Sequence, residues 1–270
     1  MDRRLTPATL RMAHVSLRGV VDAPAYIEGE RQQISVPLAD LLRSPNGARE
    51  RQLWLGEGFI VIDRDQGHAF GFAEKDGYCG WLPEAALQDG PPCTHWVASS
   101  GTHLYSEPKA SSRELAALPM GARLSVAGQL GKYAETPQGY VPASHLLPLG
   151  QHLTDPVAVA ELFLNAPYLW GGNSRAGLDC SGLCQIAHSA CGIAMSGDAD
   201  LQETAGTVVQ GEFRRGDLLF WQGHVAIAVD ADRLIHANGH TMSVAYEGIA
   251  EAIARIEAAE GAPLRSHRRL

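Results

Sequence analysis

The chain has 270 residues, of which 45% are apolar, and its formal net charge is −8. This length is enough for two or three domains with cores of their own, and the composition is that of a soluble globular protein. The acidic balance argues against a nucleic-acid partner, and no apolar run approaches the ~20 residues that cross a membrane, so no membrane partner is expected.

A weak internal repeat occupies the first half of the chain. Residues 41–45 resemble residues 104–108, and in both copies a glycine and an apolar strand follow at the same distance. The copies also close alike, with GWLP at residues 80–83 and GYVP at residues 139–142. Short alternating strands broken by Gly, Pro and Asp predict two small β-barrels.

Prolines mark the joints between the predicted domains. Pro91 and Pro92 separate the two barrels, and a second joint lies near residues 148–155, where turn-forming residues cluster. We therefore predict an N-terminal segment with the first barrel at residues 1–90, the second barrel at residues 91–149, and a different domain at residues 150–270.

Helices and then strands are expected in the last domain. Asp155 and Pro156 open a helix that runs to about residue 165, because Pro is favoured at the first helical position. A meander of strands following helices is an α+β pattern. The short basic clusters at residues 214–215 and 265–269 are interpreted as solvated surface,. The remaining predicted elements are a helix at residues 180–190, strands at 217–221, 224–229 and 234–237, and a helix at 249–259.

The most informative residue is Cys180, which lies where a glycine-rich loop becomes a helix. It follows YLWGG at residues 168–172 and begins an apolar helical stretch. The unpaired N–H groups and the positive dipole end of a helix N-terminus favour thiolate over thiol. We therefore predict a nucleophile with a lowered pKa at Cys180.

The other cysteines are interpreted as free thiols of a reducing compartment. The total of five is odd, and the spacing fits neither a zinc site nor a CxxC redox motif,. A zinc site built from His236, His240 and a cysteine is disfavoured, because Asn238 and Gly239 between the histidines predict a turn rather than a helix. No metal and no cofactor is expected.

Two histidines on neighbouring predicted strands suit a base and its orienting partner. A cysteine peptidase needs a thiolate, a histidine that moves its proton, and a third polar group that orients the histidine. His224 begins one strand and His236 lies in the next, and counting outward from the turn at residues 230–232 places them within side-chain reach,. A lone histidine in a strand is more often structural, but the order Cys, His, His favours catalysis.

Five motifs surround the candidate cysteine and histidines. They are YLWGG at residues 168–172, DCSGL at 179–183, GDLLFW at 216–221, GHVAI at 223–227 and IHA at 235–237. Together these motifs resemble those of the NlpC-like cysteine peptidases of bacterial cell-wall peptides. The resemblance covers about residues 155–265 and implies a papain-like catalytic domain, and the barrels before it resemble bacterial SH3-like domains. The fold class is thus α+β, a papain-like catalytic domain preceded by two small SH3-like β-barrels.

The resemblance implies the catalytic roles. Cys180 matches the nucleophile, His224 the base, and His236 the residue that orients the base. Tyr168 matches a tyrosine whose hydroxyl helps to hold the oxyanion beside the backbone N–H of Cys180. The alternative for Tyr168 is an aromatic residue that packs before a turn.

Five further positions resemble substrate-binding residues of this family. Asp179 and Ser181 flank the nucleophile, although Asp179 fits a helix N-cap equally well. Asp198 matches an aspartate of the γ-D-glutamyl-L-diamino-acid peptidase subgroup, whose preceding Pro and Arg are absent here. Glu57 and Tyr78 match a glutamate and a tyrosine that capture the free amino terminus of L-Ala, and the alternative for Glu57 is a solvated surface residue.

The implied reaction is hydrolysis of the γ-D-Glu–diamino-acid bond of murein peptides with free N-terminal L-Ala, which releases L-Ala-D-Glu. The N-terminus lacks the apolar core of a secretory signal, which favours a cytoplasmic enzyme of peptide recycling. Two alternatives are a non-catalytic protein that binds cell-wall peptides and an acyltransferase or amidase on the same scaffold. Neither the oligomeric state nor the choice between Lys and diaminopimelate follows from the sequence.

Overall fold

Short strands build the first half of the chain. The computed structural model describes residues 1–270, which divide into two units, Met1–Leu149 and Gly150–Leu270. The strands of the first unit are β1 (Met12–His14), β2 (Ala25–Ile27), β3 (Glu30–Ile34), β4 (Leu38–Leu42), β5 (Arg49–Trp54), β6 (Gly58–Asp65), β7 (His68–Ala73), β8 (Cys79–Pro83), β9 (Leu87–Gln88), β10 (His95–Val97), β11 (Gly101–Tyr105), β12 (Glu114–Pro119), β13 (Arg123–Leu124), β14 (Gly128–Leu130), β15 (Tyr133–Thr136), β16 (Gly139–Pro142) and β17 (Leu146–Pro148).

The two sequence repeats have the same order of strands. In the first, a seven-stranded sheet runs β5-β4-β8-β7-β6-β3-β9. In the second, the strands form two sheets, a five-stranded sheet of order β12-β11-β16-β15-β14 and a three-stranded sheet of order β13-β10-β17. Taken one after the other, these two sheets repeat the strand order of the first copy. A three-residue 3₁₀ helix precedes the last strand of each copy, at Glu84–Ala86 and Ala143–His145. The repeat in sequence is therefore a repeat in structure.

Each repeat has its own apolar core, because alternate residues of its strands face inward. The first core contains Leu41 and Phe59, and the second contains Leu118 and Val141. Leu55, which follows β5 of the first repeat, also packs in the second core. The two repeats are thus in contact through buried side chains within the first unit.

The second unit combines four α-helices with a six-stranded antiparallel sheet of order β20-β25-β21-β22-β23-β24. Helix α2 packs against β22 and β23. None of the helices is long and apolar enough to span a membrane. The elements in chain order are α1 (Pro156–Glu161), β18 (Asn173–Ser174), β19 (Gly177–Leu178), α2 (Cys180–Ala190), α3 (Ala199–Gln202), β20 (Thr207–Val208), β21 (Leu218–Trp221), β22 (His224–Ala228), β23 (Arg233–Asn238), β24 (Ser243–Gly248), α4 (Ile249–Glu260) and β25 (Ser266–Arg269).

Helix α1 is shorter than the sequence predicts. Asp155 caps it, accepting a hydrogen bond from the Val157 N–H at 2.9 Å, and Pro156 is its first residue. After Glu161 the backbone changes to tighter turns with bonds between residues three apart, and Asn165 adopts a left-handed φ of 65°. These turns, rather than Pro167, end the helix. In contrast, the prediction for α2 is confirmed at both ends.

The basic end of the chain is only partly solvated surface, because it forms a strand. Strand β25 lies between β20 and β21, and its His267 is 7% exposed. Asp217, which is 1% exposed, accepts hydrogen bonds from Arg269 at 2.6 and 2.7 Å and lies 2.6 Å from His267 Nε2. The expectation is confirmed for the exposed Arg265. It was wrong for Arg269, because the buried acid that pairs with this residue lies far away in the sequence.

Candidate active site

Hydrogen bonds to Asp179 stabilise the change from the glycine-rich loop to helix α2. Oδ1 of Asp179 accepts the Gly182 N–H at 2.6 Å and the Ser181 hydroxyl at 3.1 Å, while Oδ2 accepts an N–H of the glycine loop at 2.8 Å. A Cβ on residue 182 would lie 2.3 Å from the Gly172 carbonyl oxygen. Asp179 and Gly182 therefore hold the loop against the first turn of helix α2.

These bonds bear on two predicted substrate contacts. Asp179 is 7% exposed and Ser181 is 5% exposed, and both oxygens of Asp179 are engaged inside the protein. The geometry favours the N-cap alternative for Asp179. A contact between substrate and either residue stays a prediction.

Burial decides the protonation state of the Cys180 thiol. The residue is 8% exposed, and its Sγ lies 3.9 Å from the Gly223 carbonyl oxygen. Burial and then the charge of Asp179 raise the pKa of Cys180 to about 12, although the backbone N–H groups of Val225 and Ser181 act to lower it. The helix N-terminus has the expected sign, but desolvation outweighs it. The predicted lowered pKa is therefore wrong for the free protein, whose resting group is a neutral thiol.

The hairpin of β22 and β23 brings the two predicted histidines together. Ala228 pairs with Leu234 in the antiparallel register, so His224 and His236 are diagonal neighbours across the strands. His224 Nε2 lies 2.9 Å from His236 Nδ1, within the reach that the sequence predicts. Burial lowers the pKa of His224 to about 3 and that of His236 to about 4. Both imidazoles are therefore neutral near pH 7.

Two charged residues that the sequence analysis missed continue this chain of contacts. Glu247 Oε2 lies 3.1 Å from His236 Nε2, and Arg255 donates to both oxygens of Glu247 at 2.7 Å. Strand β24, which carries Glu247, was not predicted at all. The signal available was the alternation of residues 243–247 beside a Gly at residue 248, which is compatible with a short strand before a helix.

Tyr168 is held at the mouth of the site by the neighbouring loops. Its N–H donates to the Met242 carbonyl oxygen at 2.8 Å, and it forms a β-bridge with Leu178, next to Asp179. Burial, followed by the charges of Cys180 and Asp179, raises the pKa of Tyr168 to about 12. The phenol is therefore a neutral O–H donor over the physiological range.

One cavity of about 410 Å³ joins these groups. An amide placed there would lie beside the thiol, the imidazole and the phenol. Charged and titratable groups from the turn after β23 and from α4 complete its rim. The lining includes Tyr168, Cys180, His224, His240, Arg255 and Glu260.

A buried glutamine connects the segment after α2 to the residue that follows Cys180. Gln202, at the end of α3, is fully buried and donates to the carbonyl oxygens of Ser181 and Ser196, both at 2.9 Å. Asp198 stands at the N-cap position of α3 and is not part of the cavity lining around Cys180. Its contact with substrate stays a prediction.

Glu57 and Tyr78 belong to the first unit, where both are buried at 1% and 2% exposure. Glu57 is thus not a solvated surface residue. Its Oε1 lies 2.9 Å from Lys75 Nζ, and its Oε2 accepts the Trp54 N–H at 2.9 Å. The Lys75 ammonium also sits 3.9 Å from the centre of the Trp54 ring. The carboxylate of Glu57 is therefore already paired with the ammonium of Lys75.

No three His, Cys, Asp or Glu side chains form a group that could hold a metal ion. All five cysteines are free thiols, and three of them are buried.

Comparison with known families identifies one domain in each unit of the chain. Residues 165–256 match the NlpC/P60 family, and residues 41–87 match the bacterial dipeptidyl-peptidase SH3 domain. This chain carries an NlpC/P60 domain behind a bacterial SH3 domain. The resemblance inferred from the motifs around Cys180 is therefore confirmed, and the NlpC/P60 match lies entirely within the second unit.

Relatives of known activity extend the similarity at modest identity. The chain is 26% identical over 281 residues to a γ-D-glutamyl-L-lysine dipeptidyl-peptidase of Bacillus cereus, a match that covers 86% of this chain and 81% of that protein. It is 37% identical to dipeptidyl-peptidase 6 of Lysinibacillus sphaericus over 84 residues, which are 30% of this chain and 31% of that relative. This second match thus spans less than a third of the relative's length.

A solved structure shares the fold. A crystal structure of an NlpC/P60 family protein from Bacillus cereus superimposes with a TM-score of 0.77 at 21% identity, covering 89% of this chain and 99% of that one. The NlpC/P60 domain thus has the papain-like fold, with an SH3-like domain before it.

Proposed function

We propose that the chain is a cysteine peptidase that hydrolyses the γ-D-Glu–diamino-acid bond of murein peptides with free N-terminal L-Ala, releasing L-Ala-D-Glu. The observation that carries the proposal is the shared cavity of Cys180 and His224, with His236 bonded to the far side of the His224 ring. The relatives named γ-D-glutamyl-L-lysine dipeptidyl-peptidase support the substrate class.

The first step starts from a neutral thiol and a neutral imidazole. As Sγ of Cys180 bonds to the scissile carbonyl carbon, its proton moves to His224, and the π electrons of the carbonyl move onto its oxygen. Burial opposes a thiolate in the resting protein, so proton transfer accompanies attack. The hydroxyl of Tyr168 and the N–H of Cys180 are the proposed donors to the oxyanion.

The second half of the reaction returns the proton. His224 protonates the amine of the diamino acid as the C–N bond breaks, which leaves a thioester on Cys180. Water then attacks the thioester carbon while His224 accepts its proton, and the C–S bond breaks to give the carboxyl product and the thiol. His236 holds the His224 ring through both steps.

Capture of the free amino end is proposed for Glu57 and Tyr78. A buried carboxylate favours an ammonium, and a peptide whose amine is acetylated offers no cation for it. In the structure, Lys75 already supplies an ammonium at 2.9 Å. The substrate amine would therefore share or replace this contact. Asp198 remains a proposed contact of the same peptide.

The second repeat is proposed to be SH3-like as well, because it has the strand order of the first. This gives three domains, at residues 1–90, 91–149 and 150–270. A cytoplasmic location is proposed because short free peptides, rather than intact wall, present the amine that Glu57 would bind.

The direct test uses L-Ala-γ-D-Glu-meso-diaminopimelate, the corresponding L-Lys peptide, and both peptides N-acetylated. We expect mass spectrometry to detect L-Ala-D-Glu from the free peptides and at least about tenfold slower cleavage after acetylation. Cys180→Ala should abolish turnover, whereas Cys191→Ala, a half-buried thiol at the other end of α2, should not. Equal cleavage of free and acetylated peptides would overturn amine capture. Binding without any product would instead support the non-catalytic alternative.

A further inference from the structure

His236 also contacts a charged pair, Glu247 and Arg255, to which no role has yet been given. Strand β24 runs antiparallel to β23, and Glu247 pairs with Leu234 while Ala245 pairs with His236. Residues on one face of neighbouring strands alternate, so Glu247 is the diagonal neighbour of His236. The contact of 3.1 Å between Glu247 Oε2 and His236 Nε2 follows from this register.

This carboxylate is fixed and ionised. Arg255, on α4, donates from Nε and Nη2 to the two oxygens of Glu247, each at 2.7 Å. Such a fork of parallel bonds holds both position and orientation. The same bonds hold the pKa of Glu247 below its usual range, although burial acts to raise it. Glu247 therefore presents an acceptor, and not an O–H, to the imidazole of His236.

His236 Nε2 has no other polar partner. The histidine is 1% exposed, and no well-aligned hydrogen bond reaches Nε2. Only the ion-pair contact with Glu247 is available there. At this distance a ring N–H is attracted by the carboxylate even when the two are poorly aligned, whereas the lone pair of a bare ring nitrogen would be repelled. Nε2 of the neutral His236 therefore carries the ring proton.

The tautomer of His236 determines the tautomer of His224. With its proton on Nε2, His236 has a bare Nδ1, which accepts from His224 Nε2 at 2.9 Å. The single proton of neutral His224 then sits on Nε2, and Nδ1 of His224 is bare. Only this bare nitrogen can accept a proton from the Cys180 thiol. The opposite tautomer chain would place a hydrogen on His224 Nδ1 and remove the base.

We propose that Glu247, held by Arg255, is a positioning residue that sets the tautomers of His236 and His224 so that His224 Nδ1 is the free base. The inference rests on the proposed function for its catalytic consequence, although the tautomer itself can be observed without turnover. The other titratable groups near the histidines are His240, after β23, and Cys180, on α2.

The decisive experiment measures the tautomer directly. In protein labelled with ¹⁵N-histidine, we expect His224 to show protonated Nε2 and bare Nδ1 near pH 7, and Glu247→Leu to lose this single pattern. Glu257→Gln, at an exposed acid of helix α4, which carries Arg255, is the control and should keep it. An unchanged pattern in folded Glu247→Leu would overturn the inference.

A kinetic cycle shows whether Glu247 acts through His236. Glu247→Leu should lower kcat about 10- to 100-fold with KM within about twofold, and Glu247→Gln, which keeps an acceptor oxygen, should restore part of it. In a His236→Ala background, Glu247→Leu should cost less than about twofold more, because the intermediary is absent. Full additivity would overturn the inference. Activity retained by Cys180→Ala would overturn the proposed function instead and leave the tautomer measurement standing.

Discussion

At the scale of single residues, the chemistry depends on which nearby effect is largest. The start of helix α2 favours a thiolate at Cys180, as the sequence indicates, yet burial and Asp179 raise its pKa to about 12. His224 is neutral for the same reason, since burial lowers its pKa to about 3. The two groups therefore rest as a neutral pair, and in the proposed reaction the nucleophile forms when the proton moves to His224.

The pH dependence of alkylation tests this resting state. Because the thiol pKa lies far above neutrality, the thiolate fraction of Cys180 should rise about tenfold per pH unit. We expect the rate of iodoacetamide labelling of the Cys180 peptide, measured by mass spectrometry, to climb steadily between about pH 6 and pH 9. Cys180→Ser gives the background from the other thiols. A plateau across this range would show that a thiolate–imidazolium pair already exists.

At the scale of elements, the six-stranded sheet is held by contacts between neighbouring strands that lie far apart in the sequence. Asp217, just before β21, binds His267 and Arg269 of β25, which inserts the last strand of the chain beside β21. Burial acts to raise the pKa of Asp217, but the bonds from Arg269, His267 and the Arg214 N–H hold it below its usual range. A lowered folded pKa means stability that is present above the unfolded pKa and lost as pH falls.

Asp217→Ala should therefore destabilise the protein by about 3 kcal/mol, because it removes a buried acceptor and leaves the buried His267 and the partly exposed Arg269 without their partner,. The measurement is urea denaturation at pH 7, and the difference from wild type should shrink as pH falls below about 4. Asp230→Asn, at an exposed turn in the same sheet, is the matched control and should change the midpoint little. A small effect of Asp217→Ala at pH 7 would contradict the role given to β25.

At the scale of the whole molecule, the substrate specificity that we propose depends on a residue of the first unit. Glu57 is buried and paired with Lys75, whose ammonium also lies over Trp54. Such an acid suits recognition of a cation better than it suits a solvated surface. The ammonium of Lys75 is then a built-in competitor for the free amine of the peptide.

Lys75→Met should change amine recognition without touching the bond-breaking groups. With the competing ammonium removed, KM for the free peptide should fall several-fold, about threefold or more, while kcat and the acetylated peptide change little. The same change should lower stability, since Glu57 loses its counter-ion. Lys109→Met, at an exposed pair with Glu107, is the control. An unchanged ratio between the two peptides would argue that Glu57 does not bind the amine.

Much of the fold and site was readable from the sequence because its signals are local. The helix start at Cys180 depends on Asp179 and Gly182, a few residues away, and the hairpin that joins His224 to His236 depends on one short turn. The repeat of the first half was visible because both copies keep their turn residues at equal spacing. Such features need only neighbours along the chain, and the structure has them where the sequence predicts.

Only the tertiary structure decided the protonation of the site and its further partners. The sequence by itself determined the place of Cys180 at the start of a helix, the order of the two histidines and the α+β pattern, all of which follow from backbone preferences within short segments. The raised pKa of Cys180 comes from desolvation by packed elements, and the contacts of Glu247 and Asp217 come from strands that meet across the sheet. Burial and cross-strand charge pairing depend on residues far apart in the chain, so no local sequence pattern predicts them.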